Sequence, residues 1–132
     1  MDGKPLAVYG SGSQKRDYIY VEDIAEAFLQ VALSPATNGE VYNVGSGQGV
    51  PFRQMAERIA EVVPGTEVVE TEWNPGNYFV ETGDYISDIS KIRKDTGWAP
   101  KIPLQEGIER TVAYYRQHRN HYWTSDRMLV SP

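Results

Sequence analysis

Strand-forming residues occur in this sequence only as short bursts, each followed at once by glycine or by helical periodicity. β-Branched and aromatic side chains concentrate at 6–10, 17–21, 41–44 and 67–71, which predicts four strands of four or five residues. Between them, apolar residues recur at the three- and four-residue spacing of helices. Asp23 and Glu26 make a start resembling a capping box for a helix striped by Ile24, Phe28 and Val31 and ended by Ser34-Pro35. Pro51 opens a second helix with Phe52, Met55, Ala56, Ile59 and Val63 inward, and Pro64-Gly65 stops it. Asp88 caps a short helix that runs to Lys94 and is closed by Gly97. Pro103 opens the last helix, with Leu104, Ile108, Val112 and Tyr115 inward. Gly107 inside that helix costs about 1 kcal/mol against alanine, so a neighbour is expected to pack closely there. The order β-β-α-β-α-β-α-α predicts a mixed α/β (α+β) fold of few short strands and about four helices. Residues 72–83 read as a long loop and 124–132 as a flexible tail, which leaves 1–123 as the folded domain.

Composition narrows the function classes. The net charge is −5 and the basic residues are scattered, which argues against a nucleic-acid partner. The absence of cysteine excludes disulfides and thiolate metal sites. No apolar stretch approaches the roughly 20 residues of a membrane span, and the first residues carry no signal pattern. A cytoplasmic protein without a membrane partner is the expectation. The sequence opens almost directly on a strand, which reads as the start of a fragment.

One motif is tempting. Residues 41–44 feed Gly45-Ser46-Gly47-Gln48-Gly49 and then a helix, in imitation of a dinucleotide fingerprint. The spacing is G-x-G-x-G rather than G-x-G-x-x-G, and Pro51 has no N–H to offer a phosphate. A tight turn is the better reading, and no cofactor-binding residue is assigned. Gly10-Ser11-Gly12-Ser13 lacks the Lys-Ser/Thr of a phosphate loop. His118 and His121 have no carboxylate or cysteine company, so no metal site is expected. Lys91 and Lys94 are expected to face water.

Residues 5–25, PLAVYGSGSQKRDYIYVEDIA, resemble the pattern P-x-x-V-x-G-x-G-x-Q-x-R-D-[YF]-[IV]-[YH]-V-x-D-[IVL]-A of the extended short-chain dehydrogenase/reductases, the NAD-dependent epimerases and dehydratases of nucleotide sugars. Val41-Tyr42-Asn43-Val44-Gly45-Ser46-Gly47, Asp88-Ile89-Ser90-Lys91, Gly97-Trp98-x-Pro100 and Leu104-x-x-Gly107-Ile108 follow in the family's order. The resemblance implies the C-terminal, sugar-nucleotide-binding part of such an enzyme, with 1–123 as the substrate domain and no complete Rossmann domain. NAD or NADP would be bound by an N-terminal half outside this sequence. The family's catalytic Tyr-x-x-x-Lys pair is missing, since no tyrosine lies four residues before any lysine. No catalytic residue is therefore assigned, and the chain is not expected to turn over substrate alone.

The resemblance also implies a site. Arg16, in the R-D-[YF] position, would reach the diphosphate, for which a guanidinium offers forked donors. The bland alternative is a salt bridge to Asp17 or Glu22. Ala7, Val8 and Tyr9 match the segment that runs along the base, and Tyr18 stands on the face of Arg16. A second phosphate clamp falls on Asn74-Pro75-Gly76-Asn77, where both charged positions of R-x-G-D are asparagine. The stretch after it resembles a subgroup with W-x-P and E-x-G-D-Y before D-I-S-K. Epimerisation of a UDP-sugar at C4 is the favoured reaction. An autonomous, non-catalytic binding module and a family reductase acting on a non-nucleotide substrate are the alternatives. A parent domain would leave an apolar surface here, so self-association through Tyr42, Val44 or the Ile24 to Leu29 face is expected.

Overall fold

The computed structural model describes residues 4–73 and 82–122. Strand β1 (Leu6–Tyr9) pairs in parallel with β4 (Val68–Thr71), Leu6 opposite Val68 and Tyr9 opposite Thr71. Strand β2 (Lys15–Asp17) pairs antiparallel with β3 (Gly49–Pro51), Arg16 opposite Val50. Helices α1 (Val21–Leu33), α2 (Phe52–Val62), α3 (Ser90–Thr96), α4 (Leu104–Gln117) and the short α5 (Arg119–Tyr122) complete the regular structure, with one 3-10 turn at Pro35–Thr37. Two apolar clusters hold it. Ala27, Ile89, Ile92 and Trp98 join α1 to α3, with Ile19, Val31, Tyr42 and Val44 packed against them. Val63, Ile108 and Val112 join α2 to α4, supported by Met55, Ile59 and Leu104.

Several expectations hold. The first and last strands and the four longer helices fall where the pattern places them. Gly97 is left-handed at φ 73° and closes α3 through its N–H to the Arg93 carbonyl. The cap expected at Asp88 is shifted by one residue: Ile89 is the N-cap of α3, and the Asp88 carboxylate before it accepts the N–H of Ser90 at 2.9 Å. Gly107 is buried, and a Cβ there would meet Tyr20 at 3.3 Å, the close neighbour its sequence position predicts.

Others are corrected. The second strand is 15–17 rather than 17–21, because β3 offers pairing only to Lys15, Arg16 and Asp17 and the chain turns into α1 at Val21. Asp23 does not cap α1, whose first residue precedes it. Its side chain is 2% exposed and accepts the amides of Lys101 and Ile102, both at 3.0 Å. The stripe of α1 is rotated: Asp23 and Ala27 are buried, Ile24 and Val31 half-buried, and Phe28 is 67% exposed. Residues 41–44 belong to neither sheet, although Tyr42 and Val44 pack against the first cluster. Lys91 and Lys94 are exposed as expected, and Lys91 in addition bridges Glu40 at 2.7 Å and lies over the Tyr42 ring. The 3-10 turn, β3 and α5 escape the sequence pattern, being too short to show a period.

Candidate substrate-binding face

Two glycines turn the chain between β1 and β2. Gly10 and Gly12 both take left-handed backbone, at φ 62° and 65°, which favours glycine. A side chain at Gly12 would strike Val8 and Arg53, and one at Gly10 would strike the Trp73 indole at 2.6 Å. Trp73 therefore lies over the end of β1, its ring centroid 5.5 Å from that of Tyr9. This partner of Tyr9 escapes the sequence reading, because it stands on the far side of α2 in the chain. Of the three residues expected along the base, Ala7 and Tyr9 are exposed and Val8 is fully buried. Val8 can thus offer backbone groups but not its side chain.

β2 carries Arg16 and Asp17 with different surroundings. Arg16 Nη1 donates to the carbonyls of Lys15, at 2.9 Å, and Gly83. The Asp17 carboxylate accepts from the amide of Ser46 at 2.7 Å, the Ser46 hydroxyl, the amide of Gly47 at 3.0 Å and the amide of Ser87 at 3.1 Å. Burial pushes this carboxyl up, but the bonds from Ser46, Ser87 and Gly47 outweigh it and hold the group below its ordinary value. Glu22 pairs with Arg110 at 2.9 Å. The two acids considered as bland partners for Arg16 are thus bound to other groups.

The segment after residue 82 runs beside β2. The amide of Lys15 donates to the Asp84 carboxylate at 2.7 Å, and the amide of Tyr85 donates to the Lys15 carbonyl at 3.0 Å. Gly45 lies where this segment, β2 and the glycine loop converge. A Cβ there would fall 2.5 Å from both Asp17 Oδ2 and Ser87 Oγ. The loop that imitates a dinucleotide fingerprint is therefore a nest of amides closed around an internal carboxylate. Its donors at Ser46 and Gly47 do not fit a pyrophosphate while Asp17 holds them.

Tyr18 stands in the wall between two clefts. One, of about 450 Å³, is largely apolar and includes Tyr20, Met55, Ile59, Leu104 and Ile108. The other, of about 420 Å³, is more polar and includes Ser46, Gln48, Arg58 and Gln105. The Tyr18 hydroxyl is buried with no hydrogen-bond partner among the described residues. Burial raises its pKa, and the nearby positive charge of Arg16 opposes the rise. Asn74 and Asn77, the expected second clamp, lie outside the described residues, as do the tail and most of the expected 72–83 loop. His118 stacks on Tyr114, and no group of His, Asp and Glu that could hold a metal occurs among the described residues. Nor is any described helix long and apolar enough to cross a membrane.

Comparison with known proteins places this geometry in a family. Residues 1–111 match the model of the GDP-mannose 4,6 dehydratase family. Mouse dTDP-D-glucose 4,6-dehydratase is 32% identical over 98% of the chain, which spans 37% of that protein. The structure of UDP-glucose 4-epimerase with UDP-glucose from Thermotoga maritima aligns with a TM-score of 0.76 and 30% identity, covering 89% of this chain and 36% of that one. The structure of dTDP-glucose 4,6-dehydratase from Bacillus anthracis in complex with NAD aligns at 0.75 and 26%, covering 92% and 37%. The chain therefore belongs to the GDP-mannose 4,6 dehydratase family, within the NAD-dependent epimerases and dehydratases of the short-chain dehydrogenase/reductase class.

Proposed function

We propose that this chain binds the diphosphate of a nucleotide sugar through Arg16, as the substrate-binding part of an NAD(P)-dependent epimerase or dehydratase. One observation carries the reading. Arg16 stands on β2 at the Arg of the R-D-[YF] motif, inside the residues that match the family model. A planar guanidinium offers forked donors suited to the oxygens of a diphosphate. Tyr9, with Trp73 beside it, offers aromatic surface for the base, and Ala7 and Tyr18 complete the proposed contacts. The amides of the glycine loop are engaged by Asp17, so NAD(P) is assigned to protein outside these residues.

The finer reading is a UDP-sugar 4-epimerase. A 4,6-dehydratase of a dTDP-sugar is the second reading, favoured by the mouse relative. Calorimetric titration of the chain with UDP-glucose, dTDP-glucose and NAD tests the proposal. Binding of a nucleotide sugar that Arg16→Ala weakens about thirtyfold, the scale of one charged hydrogen-bond partner, is the expected result. Unchanged affinity in that variant overturns the assignment, and micromolar NAD binding restores the glycine loop as a cofactor site. The preference between UDP- and dTDP-glucose decides between the two reactions' substrates.

A further inference from the structure

We propose that Asp17 is the positioning residue for Arg16, tying the phosphate-binding strand to the segment that orients its guanidinium. The inference rests on the reading of Arg16 given above. Three pieces of chain meet at this carboxylate: β2 itself, the glycine loop at Ser46 and Gly47, and residue Ser87. All bonds from the last two come from amides or a hydroxyl, so a single ionised group draws together segments 29 to 70 residues apart. From Ser87 the chain leads back along β2 through Tyr85 and Asp84, both bonded to Lys15, to the Gly83 carbonyl that accepts from Arg16. The Gly83 carbonyl that receives Arg16 thus lies on a segment that Lys15 ties to β2 and that Asp17 anchors at Ser87. A Cβ at Gly45 would strike both Asp17 and Ser87, so the junction closes only over glycine.

Asp17 would touch no substrate atom. Its neutral counterpart accepts through only one oxygen, and an amide nitrogen would face the donors on the other side. Asp17→Asn should thus loosen residues 83–87 and leave the charge of Arg16 in place but poorly aimed. Removing the Ser46 hydroxyl should do the same more mildly, because the three amide bonds remain.

Calorimetric titration of the full chain with UDP, and with uridine as the phosphate-free probe, reads this directly. Asp17→Asn should weaken UDP binding about tenfold and Ser46→Ala about threefold, with the affinity for uridine unchanged. Arg16→Ala combined with Asp17→Asn should bind UDP no more weakly than Arg16→Ala alone, as coupled residues do. Side-chain 15N relaxation should show the Arg16 Nε–H losing order in Asp17→Asn and Ser46→Ala while that of Arg53, bridged to Glu70, keeps it. Independent penalties in the double variant, an equal loss for uridine, or an Arg16 signal as rigid as in the parent chain overturn the inference. UDP binding that is indifferent to Arg16→Ala overturns instead the reading on which it rests. The relaxation measurement remains decisive should Asp17→Asn fold poorly, since Ser46→Ala removes only one of the bonds to Asp17, besides two local ones to Gln48.

Discussion

Asp17 and Asp23 are six residues apart and do the same thing in two different places. Each carboxylate accepts backbone amides from a remote part of the chain: Ser46, Gly47 and Ser87 for Asp17, Lys101 and Ile102 for Asp23. Asp23 is 2% exposed and lies beside the Trp98 indole, which donates to its backbone carbonyl at 3.1 Å. Asp17 is only half-buried and adjoins Arg16. The first knot locks α1 to the entry of α4 inside the core. The second joins strand, loop and strap at a surface. One chemical device, a carboxylate gathering N–H groups, thus stands once in the core and once on a half-buried strand, where the proposal above gives it the task of positioning Arg16.

Breaking the core knot should have the larger effect on stability. Asp23→Ala leaves the amides of Lys101 and Ile102 without their charged acceptor, at about 1.5 kcal/mol each, so a loss of about 3 kcal/mol in urea unfolding is expected. UDP affinity of the folded variant should match the parent, since Arg16 and its surroundings are untouched. A loss of affinity as large as that of Asp17→Asn would erase the distinction between the two regions.

Acid titration sharpens the contrast at the surface knot. The folded-state pKa of Asp17 lies below its ordinary value, so its contribution is complete above the unfolded pKa and is lost as pH falls through the folded one. Urea midpoints measured from about pH 5 down to pH 2 should fall less steeply in Asp17→Asn than in the parent chain. Parallel curves would show that the carboxylate contributes nothing through its charge.

Tyr18 tests the ground between the regions. Its hydroxyl is buried without a partner among the described residues, so Tyr18→Phe should leave the chain as stable or more stable by up to about 1 kcal/mol. A destabilisation beyond that would reveal a bond made by this hydroxyl in solution. The smallest stability effect is expected on the outer face of α1, where Leu29→Ser should change unfolding by less than about 0.5 kcal/mol. Phe28, Leu29 and Leu33 are each more than 60% exposed there. Leu29→Ser should nonetheless lower self-association in sedimentation equilibrium. A parent chain that stays monomeric at high concentration would remove the case for a partner on this face.

The helices were legible because three or four turns of spacing carry a signal that survives context. The register of α1 was not, since Ile24, Phe28 and Val31 look inward by hydrophobicity alone while the core selects Ala27 and Asp23. A buried aspartate runs against the apolar pattern, and its two amide partners lie more than 75 residues away. The site divides in the same way. Arg16 stands out in the sequence through the motif around it, and Tyr9 through its neighbours on β1. Trp73 and the donors of Asp17 were missed because their meeting is made by tertiary folding, not by spacing. The spacing of the glycine loop predicts a turn, and the structure supplies the physical content of that turn, an internal carboxylate held by its amides.

The segment beside β2 has a consequence for the life of the chain in a crowded solution. A strand paired on one side presents a row of open N–H and C=O groups, an invitation to another chain's backbone. On β2 the Lys15 amide and carbonyl are covered by Asp84 and Tyr85. The segment that meets Arg16 at Gly83 therefore also closes an edge against aggregation, and loosening it would expose a template for strand addition beside β2.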